Sequence, residues 1–217
     1  MKIHKEGRGS IVFVLFSTAL FAYLLSILST TAAWIGLGLG LLLTVFVTLF
    51  FRDPDRNPPA DDALIISPAD GKVVQFRDIE HHEYIGGPAI QISIFLSVAD
   101  VHVNRVPATG LIEYAEYFPG KYLVAWKEEA SVENERAEFG LIHPSGTKIF
   151  FKQITGLLAR RIQYDLEVGS DVKRGERFGI MKFGSRMDVI VPANLEIVVS
   201  EGDTTIAGES TLAVIKA

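Results

Sequence analysis

The chain has 217 residues, with 26 acidic and 21 basic side chains, and it contains no cysteine. A disulfide framework, a thiol nucleophile and a cysteine-ligated zinc site are therefore excluded. Residues 1–56 carry five Lys/Arg against three Asp/Glu, so the rest of the chain is the acidic part, and it has no Lys/Arg-rich run. Because nucleic-acid binding needs clustered cations to neutralise phosphates, we exclude nucleic acid as a partner.

The first predicted element is an apolar segment, residues 11–51, that contains no charged side chain. One membrane-spanning helix needs ~20 residues, and this segment has a polar break at Ser29, so residues 1–51 are predicted to form a helical membrane hairpin. Both ends of the segment are flanked by basic residues, and the positive-inside rule then places both ends in the cytoplasm. The flanking residues are Lys2, Lys5, Arg8, Arg52 and Arg56. We expect the rest of the chain at the cytoplasmic face of the cell membrane.

Three alternatives to a spanning hairpin stay open. A secretory signal has a shorter apolar core of ~7–15 residues that ends in a small-residue cleavage site. A hairpin buried in a soluble core would rarely keep so long an uncharged run. The second arm contains Gly36, Gly38 and Gly40, so a bent or re-entrant arm is the third alternative.

Residues 52–59 are predicted to be a linker, because their three prolines prevent continuation of a helix. The predicted domain, residues 60–217, contains short β-prone runs between turn signals and no clear amphipathic helix. Its fold class is therefore expected to be mostly β. The runs are residues 72–76, 89–96, 148–154, 177–182, 187–191, 195–199 and 211–216.

An internal repeat relates residues 168–176 to residues 201–209. Both copies keep two glycines six positions apart, a spacing that suits two tight turns flanking a short strand. This predicts a barrel or sandwich of interlocked hairpins, and it resembles the hammerhead barrels that carry biotin or lipoyl groups. Met181-Lys182 is similar to the modified lysine of those carriers. The alternative function is therefore a membrane-tethered carrier or binding module without catalysis.

The Gly184-Ser185 pair lies in a Phe-Gly-Ser-Arg sequence between two β-prone runs. Alone, such a pair indicates only a turn. Three further motifs precede it: Ser-Pro-Ala-Asp-Gly at residues 67–71, Asp-Val-His through proline at residues 100–107, and Asn-Glu-Arg at residues 134–136. Together the four motifs resemble the phosphatidylserine decarboxylases, in their short bacterial and archaeal form, across nearly the whole domain.

The resemblance implies a pro-enzyme that cuts itself between Gly184 and Ser185. Residues 1–184 would form a large chain and residues 185–217 a small chain, and the two would remain together as a heterodimer. Ser185 would become a covalent pyruvoyl group, which forms a Schiff base with phosphatidylserine and decarboxylates it to phosphatidylethanolamine. Neither a metal nor pyridoxal phosphate would be needed.

In that family an aspartate and a histidine act with the serine as a triad, and they correspond here to Asp70 and His102. His102 is also the expected proton donor in decarboxylation, since histidine titrates near neutral pH. Longer family members have a second histidine where this chain has Arg105, so the division of roles stays open. Without the resemblance, Asp70 would be assigned to a turn and His102 to the core.

Three arginines are weaker candidates for binding the substrate phosphodiester: Arg105, Arg160 and Arg161. Arginine matches phosphate oxygens well, but of two neighbours on a strand one should face solvent. The same alternation separates His81 from His82, so no metal site is expected there.

Overall fold

The computed structural model describes residues 2–125, 129–156, 162–182 and 184–215. The chain divides into two compact units, Met1–Asp55 and Arg56–Ala217. The first unit is mainly helical and the second is mostly β.

The first unit contains two helices, α1 (Lys5–Leu28) and α2 (Thr30–Phe50), joined at Ser29. Ser29 has an extended backbone with φ −163°, and its hydroxyl accepts a hydrogen bond from the N–H of Ala32, which caps α2. Both helices are long and apolar enough to cross a bilayer, and only 6% and 11% of their most apolar windows are buried. That exposure argues against a hairpin buried in a soluble core.

Two kinds of contact hold these helices side by side. The short strands β1 (Lys2–Ile3) and β2 (Arg52–Asp53) pair antiparallel at the open end of the helical pair. Gly36 and Gly40 of α2 lie against α1, and a Cβ added at Gly40 would lie 2.2 Å from Thr18 Cγ2. Small residues at this spacing allow two helices to approach closely.

The second unit has fourteen strands and one short helix, α3 (Ala130–Glu133), among its described residues. Each of the seven predicted β-prone runs overlaps one of these strands, so the mostly-β prediction is confirmed. The strands are β3 (Leu64–Ile66), β4 (Gly71–His82), β5 (Gly87–Leu96), β6 (Val103–Arg105), β7 (Gly110–Phe118), β8 (Arg136–Ile142), β9 (Lys148–Ile154), β10 (Ile162–Tyr164), β11 (Asp171–Val172), β12 (Arg177–Met181), β13 (Ser185–Pro192), β14 (Glu196–Ile197), β15 (Thr204–Thr205) and β16 (Thr211–Val214).

Eight of the described strands form one antiparallel sheet in the order β11-β7-β8-β9-β13-β5-β4-β15. This sheet curls as a half-barrel. Two three-stranded sheets, β10-β12-β6 and β14-β16-β3, complete the unit. The main core includes stacked and edge-on rings of Phe139, Phe151 and Phe178, whose centroids lie 5.2–5.5 Å apart.

The glycine repeat is present as a repeated backbone structure. Gly169 and Gly175 have φ of +89° and +79°, and their counterparts Gly202 and Gly208 have φ of +96° and +82°. A two-residue strand, β11 or β15, lies between the members of each pair. Because other residues adopt this backbone region at a cost, the glycines are needed for the turns.

Each copy of the repeat packs against a turn elsewhere in the chain, and the two turns have similar sequences. The first copy meets Pro-Ala-Thr-Gly around Thr109, and the second copy meets Pro-Ala-Asp-Gly around Asp70. Asp70 Oδ1 accepts a hydrogen bond from the N–H of Ala207 at 2.8 Å, and Thr109 Oγ1 accepts one from the N–H of Arg174 at 3.2 Å. The two turn contacts are therefore equivalent, and their backbone hydrogen bonds also match. The N–H of Gly169 donates to the carbonyl of Ile112, and the N–H of Gly202 donates in the same way to Val73. The N–H of Gly175 donates to the carbonyl of Val106, and the N–H of Gly208 donates in the same way to Ser67.

Replacing Gly208 by alanine should destabilise the β unit more than replacing Gly169. Both positions have positive φ, which costs alanine ~1–2 kcal/mol. A Cβ at Gly208 would also lie 2.7 Å from Cδ of the buried Arg105, whereas one at Gly169 meets no heavy atom within 4 Å. Thermal melting of Gly208→Ala and Gly169→Ala in detergent measures the difference, and equal losses would contradict the packing described here.

Candidate functional site

Ser185 is the first residue of β13, in the middle of the large sheet. It pairs with Leu96 of β5, and the next residue, Arg186, pairs with Ile154 of β9. Ser185 is fully buried, and its Oγ has no hydrogen-bond partner within the described part of the chain. Because a buried hydroxyl left unpaired costs free energy, this hydroxyl is a candidate for a reactive role.

The residue before it, Gly184, turns the chain sharply with φ +66°. Its carbonyl oxygen packs against Gly156, where an added Cβ would lie 2.4 Å from that oxygen. Asn134 fixes this neighbourhood, since its Nδ2 donates to the carbonyl of Thr155 at 2.7 Å and its Oδ1 accepts from the N–H of Leu123 at 2.8 Å. The Gly184 carbonyl therefore lies against a segment whose backbone is bound by Asn134.

His102 is fully buried beside the same segment. Its Nδ1 lies 3.0 Å from the carbonyl oxygen of Asp100. A carbonyl oxygen can only accept, so Nδ1 carries the proton and Nε2 is the acceptor in the neutral ring. The N–H of Gly184 donates a long hydrogen bond of 3.4 Å to that Nε2. The structure thus brings the predicted histidine to the predicted cleavage segment with its lone pair facing it.

Arg56 and Ala207 both bind the carboxylate of Asp70. Arg56 Nη2 donates to both carboxylate oxygens, at 3.0 and 2.7 Å, and the two side chains are only 14% and 15% exposed. The N–H of Ala207 donates to the same carboxylate. Asp70 is therefore a turn residue, and it is also one side of a largely buried ion pair.

Arg105, a weaker candidate, is 4% exposed. Its Nη1 donates to the carbonyl of Gly175 at 2.8 Å, and its side chain also lies beside Gly208. It thus contacts the corresponding glycine of each repeat copy, and phosphodiester binding by this residue stays a prediction. Arg160 and Arg161 lie outside the described residues.

Two buried charges next to the site were missed from the sequence. Arg186 and Asp188 are fully buried, with Nε and Oδ1 2.6 Å apart. The hydroxyl of Ser131 donates to Asp188 at 2.7 Å, and Arg186 Nη2 donates to the hydroxyl of Ser93 at 2.8 Å. A buried ion pair needs such extra hydrogen bonds to offset its desolvation. The available signal was two opposite charges at i and i+2 in an apolar strand, which share one face.

An open pocket of the β unit is lined by other residues. It has a volume of about 550 Å³, and its lining includes His82, Tyr114 and Lys152. Burial, and then the charge of Lys152, lowers the pKa of His82. Within the described ranges, no group of three or more His, Asp or Glu side chains is arranged to hold a metal ion.

Comparison with known proteins agrees with the motifs. A family model described as phosphatidylserine decarboxylase matches residues 43–213. The phosphatidylserine decarboxylase proenzyme of Salinibacter ruber is 57% identical over 186 residues, which cover 83% of this chain and 82% of that protein.

Two other relatives with the same name match over almost the whole chain. The Rickettsia akari protein is 42% identical over 214 residues, covering 97% of this chain and 89% of that protein. The Amoebophilus asiaticus protein is 41% identical over 221 residues, covering 99% and 97%. This chain therefore belongs to the phosphatidylserine decarboxylase family.

Proposed function

We propose that this chain is a self-cleaving pro-enzyme that decarboxylates phosphatidylserine to phosphatidylethanolamine, using a pyruvoyl group made from Ser185. The names of the relatives support both the reaction and the precursor. One feature of the site supports it most directly. A buried Ser185 hydroxyl without a described partner adjoins Gly184, whose N–H contacts Nε2 of His102.

Cleavage would begin with attack of Ser185 Oγ on the Gly184 carbonyl carbon. The new C–O bond forms as the C–N bond breaks, and the peptide becomes an ester with a free amine at residue 185. His102 Nε2 takes the hydroxyl proton and returns it to the departing nitrogen, as a general base does in other serine sites. Nε2 is suited to this step because Asp100 holds the ring proton on Nδ1.

Asp70 would stabilise the positive charge that His102 gains during the transfer. Its carboxylate is already oriented by Arg56 and Ala207. In the elimination that follows, a base removes the Cα proton of residue 185, the Cβ–O bond breaks, and the departing Gly184 carboxylate leaves dehydroalanine at residue 185. Addition of water and loss of ammonia complete the conversion.

The buried position of Ser185 fits a pyruvoyl group. Conversion would remove a hydroxyl that makes no hydrogen bond within the described residues, and the residue is fully shielded from solvent. When formed, that group supplies an electron sink for the electron pair released with carbon dioxide. His102 would donate the proton that replaces carbon dioxide, since its Nε2 faces the same segment.

Residues 1–51 would anchor the enzyme as a membrane hairpin, with residues 52–59 as the linker and residues 60–217 as the catalytic domain at the cytoplasmic face. The two apolar helices and the basic residues that flank them support this placement. The interlocked turns of the repeat support the further likeness to hammerhead barrels.

Replacing Ser185 by alanine should leave the chain uncut. The wild-type chain should give a large and a small fragment on denaturing electrophoresis, because the attacking hydroxyl is present. Ser93→Ala is the matched control, since Ser93 is equally buried on the neighbouring strand and should not block cutting. A wild-type chain that stays intact and does not decarboxylate phosphatidylserine would instead favour a carrier or binding module.

Replacing His102 by alanine should slow self-cleavage about 100-fold or more, since general-base catalysis is lost. Asp70→Asn should also slow it. A time course of the newly made chain on denaturing gels measures both rates. His143→Ala is the control, because His143 is also buried but contacts Ser145 in a loop after β8. Wild-type rates in both His102→Ala and Asp70→Asn would sink the triad assignment.

The two fragments should stay together after the cut. The small chain would contribute β13 and the strands that follow it, and these pair with β3, β4, β5 and β9 of the large chain. A tag on the small chain should therefore retain the large chain in mild detergent and lose it in denaturant. Separation of the fragments under native conditions would contradict the heterodimer.

Arg186→Met should lower the melting temperature of that complex, because it leaves Asp188 buried without its cation, at a cost of about 3–5 kcal/mol. Arg136→Met is the matched control, since Arg136 also pairs with a carboxylate two positions on, Glu138. It should cost less because Lys152 lies 3.1 Å from Glu138 and remains as a cation. An equal loss in the two variants would contradict this difference.

A further inference from the structure

The repeat provides an internal comparison for Asp70. Its counterpart, Thr109, occupies the same turn in the other copy and binds the equivalent N–H with a hydroxyl. The turn therefore needs one oxygen acceptor at this position, and a neutral hydroxyl suffices. The negative charge of Asp70 has to be explained by something other than the turn.

The cation that faces this charge is Arg56, close to the N-terminal end of the β unit. It binds both oxygens of Asp70, and its Nη1 lies 3.9 Å from Glu209. Glu209 also accepts a hydrogen bond from the N–H of Asn57 at 3.0 Å. The segment that carries Arg56 is thus fixed to the β unit at two neighbouring points.

Gly208 leaves space for this arrangement. A Cβ added there would lie 2.7 Å from Arg105 Cδ and 3.5 Å from Arg56 Cβ. In the other copy, the equivalent Gly175 faces Pro58 instead, at 2.2 Å from its Cγ. The copy that contains the aspartate is therefore the copy that accommodates the arginine.

We propose that Arg56 is a positioning residue for self-cleavage, which acts by holding the Asp70 carboxylate in one orientation beside a fixed positive charge. Both carboxylate oxygens are bound by one nitrogen, Nη2, and a charge-assisted contact to both oxygens limits the directions in which the carboxylate can point. A carboxylate that stabilises a histidine cation must be both charged and correctly aimed. This role rests on the proposed function of Ser185, His102 and Asp70.

The test compares cleavage rates of newly synthesised full-length chains in membranes. Arg56→Met should cut roughly ten-fold to hundred-fold more slowly than wild type, as expected for loss of a charge-assisted contact. Arg56→Lys should recover part of the rate, because lysine keeps the charge but has a single nitrogen, which cannot face both Asp70 and Glu209 as Nη2 and Nη1 do. Melting temperatures are measured on the same preparations.

Two controls separate positioning from folding. Asp70→Thr installs the residue of the equivalent turn, so it should lose most of the cleavage, and it should lose only part of the melting temperature because Glu209 remains beside Arg56. Adding Arg56→Met to Asp70→Thr should then cause no further slowing, since Arg56 acts through Asp70. Arg174→Met removes a buried arginine beside the other turn, and it should lower the melting temperature without slowing cleavage.

Two results would overturn the role of Arg56. The first is a wild-type cleavage rate in both Arg56→Met and Arg56→Lys. The second is equal slowing by Arg56→Met in the chain that has Asp70 and in the Asp70→Thr chain. If Arg56→Met does not fold, Arg56→Lys decides: slower cleavage at an unchanged melting temperature supports the role, and the wild-type rate contradicts it. Failure of the proposed function is a separate result, namely an uncut wild-type chain or a cut Ser185→Ala chain.

Discussion

The pairing of β13 with β5 on one side and β9 on the other is the constraint on which the rest of the site depends. It places Ser185 at the buried start of a central strand. The chain reaches that strand through the sharp turn at Gly184. The carbonyl of that turn packs on Gly156 and its N–H faces His102. A small chain that begins at Ser185 would keep every strand contact that positions it.

The second constraint is the internal repeat, one of whose turns holds the proposed catalytic residue Asp70. Both copies have an oxygen acceptor in the turn, which is a hydroxyl in one copy and, in the other, a carboxylate paired with an arginine. The same backbone turn therefore holds a neutral hydroxyl in one copy and a carboxylate in the other. Arg105 lies between the two copies and donates to the backbone carbonyl of Gly175. The residue type alone could not distinguish this backbone contact from phosphodiester binding.

Much of the fold was predictable because its signals are local. The glycine pairs require positive φ, and the β-prone runs between turn signals became strands. The strands β7 and β8 were missed because their polar residues interrupt the apolar pattern: Glu113 and Glu116 in β7, and Glu138 in β8. In β8 the charged Glu138 is buried and contacts Lys152, so in that strand a polar residue does not mark the face turned to solvent.

The site was predictable only in part. Gly184, Ser185, Asp70 and His102 could be named from motifs, and the structure brings His102 to Gly184. The bond from His102 Nδ1 to a backbone carbonyl and the ion pair between Arg56 and Asp70 depend on tertiary structure. No pattern along the chain joins Arg56 to a turn fourteen residues later.

The most direct measurement is the mass of the small fragment from the purified wild-type chain. Conversion of Ser185 predicts a fragment of residues 185–217 with a blocked N-terminus, lighter by one ammonia than the same peptide with an N-terminal serine. A fragment that begins with an unmodified serine amine would show simple hydrolysis and would contradict the account.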